Sequence, residues 1–272
     1  MKNTASFAAY KKSPNRSIKH STYFETYDEL FGRYRGKPIT FVEIGVLGGG
    51  SLFMWREFFG EQARIIGIDL NPNAKKWEKD GFEIFIGSQS DEAFWQEVKQ
   101  AVGPMDVVLD DGGHTYEQQI VTTEMLLDNI KDGGMLVVED THTSYMPGFG
   151  PKKYSFMRYV AQIMDRMHYR FSKISGPTDN RVWSVQVFES IVAFHINRDA
   201  SNRVSAVTDN GGAHDNAVDF RHADNSAYGR LSRVYRESDA LKKIPGVRPL
   251  ALFVKDILSR AKGSGRVSRF FR

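Results

Sequence analysis

Short apolar runs alternate with amphipathic segments along most of this sequence, and most of the runs end beside a glycine or an acidic residue. Uninterrupted runs of this length predict strands that are buried on both faces, and apolar spacings of three and four predict helices between them. The predicted strands are 39–46, 64–70, 82–86 and the apolar parts of 105–114 and 134–142, and the predicted helices are 51–59, 92–101 and 115–130. This alternation favours an α/β fold with a doubly wound, Rossmann-like parallel sheet.

The pattern changes after His142. A loop rich in glycine and proline precedes a helical spacing over 155–168, and two apolar runs follow at 181–188 and 191–196. Only Glu189 and Ser190 separate these two runs, which predicts a tight turn and an antiparallel hairpin. We therefore predict a mostly parallel, seven-stranded sheet with a C-terminal antiparallel hairpin.

The two ends of the chain lack this regular pattern. Residues 1–17 are polar and basic, which predicts a flexible lead. A stripe of mostly aromatic residues then predicts an amphipathic helix that covers the sheet and ends near Gly36. Its members share spacings of three and four: Tyr23, Phe24, Tyr27, Leu30 and Phe31. We assign 18–197 to one domain and 198–272 to a polar loop and a basic extension, with a short basic helix at 250–258.

Charge and composition restrict the partners. The segment 230–272 contains twelve Lys or Arg, and the remainder of the chain is acidic by about five charges. The tail could contact an anionic membrane surface or a phosphate-bearing acceptor, or be a solvated terminus. No nucleic-acid reading motif accompanies it, so nucleic-acid binding is not expected. We found neither a signal peptide nor a run of membrane-spanning length, which predicts a cytoplasmic protein.

A glycine-rich turn follows the first predicted strand. Leu47 breaks a dinucleotide fingerprint aligned on Gly45, and no P-loop motif occurs. Glu43 lies inside the strand and Asp69 ends the next one, so phosphate would be repelled, whereas a cationic amino-acid group and a ribose would be attracted. The alternative is that these glycines serve only a tight strand-to-helix turn.

Two acidic motifs end neighbouring apolar runs, DDGGH at 110–114 and EDTH at 139–142. If the two strands are adjacent and parallel, four carboxylates and two imidazoles meet at the sheet edge where α/β proteins bind ligands. The chain has no cysteine, so oxygen and imidazole ligands favour a hard cation. The alternative is that the first pair caps a helix, the second pair forms ion pairs and His114 is a structural hydrogen-bonding group.

Three segments, EIGVLGGGS, GIDL and GSQSD, resemble the cofactor-binding half of class I S-adenosylmethionine-dependent methyltransferases. The resemblance implies that Gly45 and Gly49 let the cofactor approach the backbone, that Asp69 binds the ribose and that 89–91 lies near the adenine. Leu47 departs from the commonest motif. The residues with an implied cofactor role are Glu43, Gly45, Gly49, Ser51, Asp69, Gln89, Asp91 and Asp110.

DDGGH and VVEDTH together resemble the metal-dependent sugar O-methyltransferases of macrolide biosynthesis, of the mycinamicin and macrocin type, and the related cephalosporin hydroxylase family. The likeness covers roughly 19–197. It implies that Asp111, Glu139 and Asp140 bind Mg²⁺ and that His114 is the general base, with Asp110 turned toward the cofactor.

Several neighbouring residues have more than one possible role. His142 could stack on the substrate, support the metal shell or be structural, and His20 could help to close the cofactor pocket. Residues of the glycine- and proline-rich loop could line an acceptor lid, or simply pack: Tyr145, Met146 and Phe149.

The resemblance implies Mg²⁺-dependent methyl transfer from S-adenosylmethionine to a sugar hydroxyl of a glycosylated natural product or cell-surface glycan. The alternatives are a cephalosporin-hydroxylase-like enzyme with another small-molecule acceptor, and a non-catalytic binding or assembly subunit that keeps the fold. A homo-oligomer is compatible with each of these three functions.

Overall fold

The computed structural model describes residues 3–212 continuously, and beyond them 229–230, 233–234, 238, 240, 243–247, 249–250, 253–254, 256–257 and 267–270. The chain divides into two units, Met1–Ala206 and Val207–Arg272. The described part of the second unit includes a 3₁₀ turn, Ser268–Phe270. Of the helix predicted at 250–258, residues 250, 253–254 and 256–257 are described as helical, and 251–252, 255 and 258 lie outside the described residues. No helix among the residues described has the length and apolarity needed to cross a membrane.

A seven-stranded sheet forms the centre of the first unit, with strand order β3-β2-β1-β4-β5-β7-β6. The strands are β1 Thr40–Ile44, β2 Arg64–Asp69, β3 Glu83–Ile86, β4 Met105–Asp110, β5 Ile130–Val138, β6 Ser184–Phe188 and β7 Ile191–His195. The first five pair in parallel, whereas β7 runs antiparallel to β5 and to β6. This confirms the predicted doubly wound, mostly parallel sheet and its C-terminal hairpin.

Helices cover both faces of the sheet. They are α1 Ala5–Lys12, α2 Tyr23–Phe31, α3 Gly50–Phe59, α4 Glu92–Val102, α5 Tyr116–Leu126, α6 Phe156–His168 and α7 Arg198–Asn202. Short 3₁₀ helices connect them at Gly32–Tyr34, Pro72–Asp80, Leu127–Asn129, Thr141–Tyr145 and Lys152–Tyr154. Asp91 caps α4 through its side chain, and Thr115 and Gln118 form a capping box for α5.

Two apolar layers hold these helices on the sheet. On one face α1, α2 and α3 enclose Trp55, whose ring lies 5.1 Å from those of Tyr27 and Phe41. On the other face, α4, α5 and α6 pack around Trp95 and Phe156. All five rings are buried. Buried aromatic rings contribute large apolar areas, so both layers fix the helices firmly against the strands.

Residues 5–12 form helix α1, which corrects the prediction of a flexible lead in 1–17. The helix is held from outside itself, because the Asp28 carboxylate of α2 accepts hydrogen bonds from the backbone N–H groups of Ala5 (2.6 Å) and Ser6 (2.8 Å). The Ser6 hydroxyl donates to the Phe24 carbonyl at 2.8 Å. A short polar helix stabilised by such tertiary contacts leaves little periodicity in its own sequence.

The strand order reverses between β1 and β4, which places the topological switch point at their carboxyl ends. Ile44 of β1 is level with Asp110 of β4, and Asp110 is level with Val138 of β5. Asp111 and Glu139 therefore leave adjacent strands side by side. The predicted meeting of the two acidic motifs is confirmed at the level of the backbone.

Candidate active site

A cavity of about 500 Å³ opens at the carboxyl ends of the strands. This volume lies in the range of sites that bind small molecules and cofactors. Its walls come from the ends of β1, β2 and β4 and from the loops that follow β3 and β5. They include Gly45, Asp69, Ser88, Gln89, Asp111 and His114.

The glycine turn is shaped by close packing between strand ends. Gly45 has a φ of +91°, and a Cβ added there would lie 2.0 Å from the carbonyl oxygen of Asp111. Gly49 has a φ of +79°, and its added Cβ would lie 2.3 Å from the ring of Trp77. Both positions therefore require glycine for the protein's own geometry. Gly45 also lines the cavity, whereas Gly49 does not.

Replacing Gly45 by alanine should lower the free energy of unfolding by about 2–5 kcal/mol. Left-handed strain costs about 1–2 kcal/mol and forcing a methyl group against backbone about 1–3 kcal/mol. Gly36→Ala is the matched control, since its φ is +68° and no atom would lie within 4 Å of its Cβ. We expect only the strain of about 1–2 kcal/mol there. Urea unfolding measures both, and equal losses would contradict the packing argument.

Asp69 fixes the loop that follows β1. Its Oδ2 accepts hydrogen bonds from the backbone N–H groups of Val46 and Leu47, both at 2.9 Å, and its Oδ1 accepts from that of Asn71 at 2.8 Å. A carboxylate has about four acceptor positions, so these bonds leave capacity for a ligand hydroxyl. Asp69 can thus stabilise the loop and bind a ligand in the cavity.

Four other residues with an implied cofactor role lie outside the cavity lining. Glu43 is buried below the glycine turn, where it accepts hydrogen bonds from the hydroxyl of Ser51 (2.7 Å) and the indole of Trp55 (3.0 Å). Burial raises the pKa of Glu43 to about 7. Asp91 is occupied as the cap of α4. The fourth, Asp110, is buried below the DDGG turn.

Gln89 organises that turn. Its side-chain Nε2 donates to both carboxylate oxygens of Asp110, at 3.0 and 3.1 Å, and its Oε1 accepts from the backbone N–H of Gly113 at 2.9 Å. Burial raises the pKa of Asp110 to about 7. Gln89 lines the cavity while fixing the segment that precedes His114.

Asp111, His114 and Asp140 converge beside the cavity. His114 Nε2 lies 3.3 Å from Asp140 Oδ2 and 3.9 Å from Asp111 Oδ1. One ligand atom from each residue lies within 4.8 Å of the others, and the side chains are 20–24% exposed. Two carboxylates so close to each other concentrate negative charge, and their oxygens are suitable ligands for a divalent ion.

Backbone strain is concentrated at this place. His114 and Asp140 have φ values of 59° and 55°, and Leu47 across the cavity has a φ of 46°. Non-glycine residues adopt this left-handed conformation at a cost, and such residues cluster at functional sites. The strained backbone here turns the imidazole and the carboxylate of Asp140 toward each other.

The remaining proposed metal ligand, Glu139, is buried and does not belong to the group that Asp111, His114 and Asp140 form. It accepts hydrogen bonds from the hydroxyl of Tyr27 at 2.6 Å and from the ammonium of Lys19 at 3.2 Å. Burial and the charge of Asp111 raise its pKa, which Lys19 opposes. Its role as a metal ligand remains a prediction.

The sequence prediction missed Lys19 and the hydroxyl groups of Tyr23 and Tyr27. Tyr23 donates to Asp140 and Tyr27 to Glu139, and burial and the neighbouring carboxylates raise the pKa of both phenols. The two tyrosines lie four residues apart on one face of α2. A signal existed in the sequence, because the buried stripe carries tyrosine where phenylalanine would fill the same space.

A smaller cavity of about 130 Å³ adjoins the first and shares Ile18, Asp111 and Asp140 with it. His20 lines this smaller cavity, and its ring stands edge-on to that of His142 at 5.9 Å. With Asp140 the two histidines form a second group able to hold a metal ion. The interpretations of His142 as a metal-shell residue and of His20 as a residue that closes the pocket thus remain predictions.

The loop after His142 presents apolar side chains to solvent. Tyr145 is 77% exposed and Met146 46% exposed, whereas Phe149 is half-buried and its carbonyl accepts the backbone N–H of Tyr116. Neither Tyr145 nor Met146 lines the larger cavity. Their assignment to the acceptor remains a prediction.

Known proteins resemble this chain over the region that carries the site. A family model described as a methyltransferase domain matches residues 42–141. The 8-demethyl-8-alpha-L-rhamnosyl tetracenomycin-C 2'-O-methyltransferase of Streptomyces olivaceus is 31% identical over 189 residues, which are 64% of this chain and 49% of that protein. The demethylmacrocin O-methyltransferase of Streptomyces fradiae is 35% identical over 131 residues, 46% of this chain and 33% of that protein.

A solved structure of the MycE methyltransferase from the mycinamycin biosynthetic pathway, in complex with Mg, SAH and mycinamycin VI, gives a TM-score of 0.64 at 26% identity. The match covers 75% of this chain and 55% of that one. The chain thus spans about half or less of the length of the curated relatives given above.

Proposed function

We propose that this chain is an S-adenosylmethionine-dependent and Mg²⁺-dependent O-methyltransferase, and the match of residues 42–141 to a methyltransferase domain model supports this proposal. The acceptor is a sugar hydroxyl of a glycosylated natural product or of a cell-surface glycan. The sheet order and the match to MycE support the class I methyltransferase fold on which this proposal rests.

The observation that carries the proposal is the contact between a cofactor-sized cavity and a cation-binding group. Asp111, His114 and Asp140 line the 500 Å³ cavity and also form the group with the spacing of metal ligands. A methyl donor in that cavity and a hydroxyl at that group would be neighbours. Holding two reactants at such short range is a major source of rate enhancement.

The residues of the site fit both S-adenosylmethionine and Mg²⁺. Asp69 and the glycine turn suit a ribose and an amino-acid end, and the carboxylates of Asp111 and Asp140 suit a hard cation. When bound, S-adenosylmethionine supplies the electrophilic methyl group and Mg²⁺ lowers the pKa of a nearby hydroxyl.

The chain's own residues provide the remaining chemistry. His114 Nε2 is positioned to take the proton of an acceptor hydroxyl placed between the two aspartates, which is the role of a general base. Tyr23 holds Asp140 by a hydrogen bond, and Tyr27 holds Glu139. The ionisable groups of the site are therefore oriented before a substrate arrives.

The names of the relatives support a sugar acceptor. Both matched proteins from Streptomyces are named as O-methyltransferases, and the first acts on a rhamnosyl tetracenomycin. The exposed Tyr145 and Met146 provide an apolar surface beyond the acidic group, which suits the aglycone of such a glycoside. No observation favours the cephalosporin-hydroxylase-like alternative or the non-catalytic one over this proposal.

Calorimetry and a turnover assay test the proposal together. Titration with S-adenosylmethionine, with Mg²⁺ or with EDTA, should give cofactor binding in both cases. Incubation with methyl-labelled cofactor and a panel of rhamnosylated polyketides and macrolides should give label transfer only with Mg²⁺. Absence of cofactor binding would overturn the methyltransferase proposal, and binding without transfer to any glycoside would leave a binding subunit as the better description.

A further inference from the structure

Lys19 places an ammonium group inside the carboxylate cluster. Its Nζ lies 2.5 Å from Asp111 Oδ2, 3.2 Å from Glu139 Oε2 and 3.9 Å from Glu43 Oε1. The Lys19 side chain is 2% exposed. A buried ammonium needs carboxylates around it as much as they need a cation, so these four groups form one unit.

The acidic groups in this unit come from three strands. Glu43 is in β1, Asp111 follows β4 and Glu139 follows β5, and Asp140 stands next to Glu139. Tyr27 of α2 faces the same unit through its hydroxyl. Among the ion pairs seen in the described part of the chain, Lys19 is the one lysine or arginine paired with these carboxylates.

The ammonium divides the cluster into two halves. The inner half, Glu43 and Glu139, is fully buried and faces Lys19. Asp111 spans both halves, because its Oδ2 faces Lys19 while its Oδ1 faces His114. The outer half is completed by Asp140, whose Oδ2 faces His114 and whose side chain is partly exposed.

We propose that Lys19 is a resident cation of this site. Its ammonium neutralises part of the carboxylate charge of Glu43, Asp111 and Glu139, and so lowers the affinity of the cluster for a divalent ion. This inference deepens the proposed function and rests on it for the identity of the metal ion.

The segment that carries Lys19 is fixed by its own contacts. The Ser13 hydroxyl donates to the Gly50 carbonyl at 2.7 Å, and the Tyr10 hydroxyl donates to the Ser17 carbonyl at 3.0 Å. A Cβ on Gly50 would lie 2.5 Å from the carbonyl oxygen of Asn15, so this backbone is packed against the glycine turn. Lys19 is thus held inside the cluster by a backbone segment that is itself fixed.

Substitution of Lys19 by methionine tests the inference, because methionine keeps much of the apolar length of the side chain and removes the charge. Mn²⁺ serves as the probe, with its free concentration read by electron paramagnetic resonance in the metal-free protein. We expect the Mn²⁺ affinity to rise about tenfold or more in K19M, since the cluster loses a positive charge close to the ion. The unfolding temperature in EDTA should fall, and Mn²⁺ should raise it more than in the wild type.

Three further variants complete the experiment. K19R keeps the charge and should bind Mn²⁺ within about threefold of the wild type. K12M removes an exposed lysine that pairs with Glu57, and it should leave both readouts unchanged. K19Q also lacks the charge and replaces K19M if the latter does not fold.

The outcomes separate the inference from the proposed function. A stability loss in K19M with an unchanged or weaker Mn²⁺ affinity would overturn the inference and leave Lys19 as an ordinary structural ion pair. If the wild type binds no Mn²⁺ while K19M does, the inference stands and the metal dependence of the proposed function fails. If neither protein binds Mn²⁺, both are overturned.

Discussion

Replacing His114 by alanine is expected to lower the turnover number by about 10²- to 10⁴-fold, the usual contribution of a general base. His114 Nε2 is the imidazole nitrogen that faces both Asp111 and Asp140, and the variant leaves no imidazole to accept a proton at that position. The affinity for S-adenosylmethionine should change little, because the proposed cofactor contacts, Asp69 and the glycine turn, are unchanged in this variant. The measurement is steady-state turnover with the glycoside that accepts label in the panel assay, together with calorimetry of the cofactor.

His168→Ala is the matched control for this result. His168 ends α6, is exposed and lies outside both cavities, so its variant should retain full turnover. Retention of more than a tenth of the wild-type turnover by H114A would refute the assignment of the base.

Replacing Asp140 by asparagine should lower the affinity for a divalent ion by about 100-fold or more. Loss of even an outer partner of a metal ligand costs about 10- to 100-fold. Asp140 has a φ of 55°, which asparagine tolerates better than most residues, so the substitution removes charge with little change in the backbone. Mg²⁺-dependent turnover should fall in parallel, and EDTA should then have little further effect.

The control for this variant lies in β5, the strand that leads to Asp140. Asp132 lies in β5 at the end opposite Asp140, is exposed, and pairs with Arg198 at 3.0 Å. D132N should therefore bind Mn²⁺ as the wild type does. Equal Mn²⁺ affinity in D140N and D132N would show that Asp140 is not a metal ligand.

The sheet could be predicted because each of its strands is specified by a short, continuous segment of sequence. Each central strand is an apolar run that is long enough to identify alone, and the two-residue separation at Glu189 and Ser190 specifies the hairpin. Helix α1 could not be predicted in this way, since its N-terminal N–H groups are capped by Asp28, more than twenty residues away. Its sequence shows neither a wide apolar stripe nor an acidic first turn.

The sequence predicted the acidic residues of the candidate site but not the residues that pair with them. Strand register alone brings Asp111 beside Glu139, so the acidic edge follows from topology. Glu43 was predicted to attract a cationic ligand, but the cation that faces it in the structure is Lys19 of the same chain. Lys19 lies 92 residues from Asp111 and 120 from Glu139, and no local pattern in one sequence joins residues so far apart.

The N-terminal helix pair has a consequence for how this domain can be divided or recombined. The segment that matches the methyltransferase domain model, 42–141, contains every carboxylate of the cluster and His114, yet it lacks Lys19, Tyr23 and Tyr27. A fragment cut at that boundary would assemble like charges without their ammonium and phenol partners. The transferable module is therefore larger than the family match, and a functional graft of this site onto another scaffold must bring α1 and α2 with it.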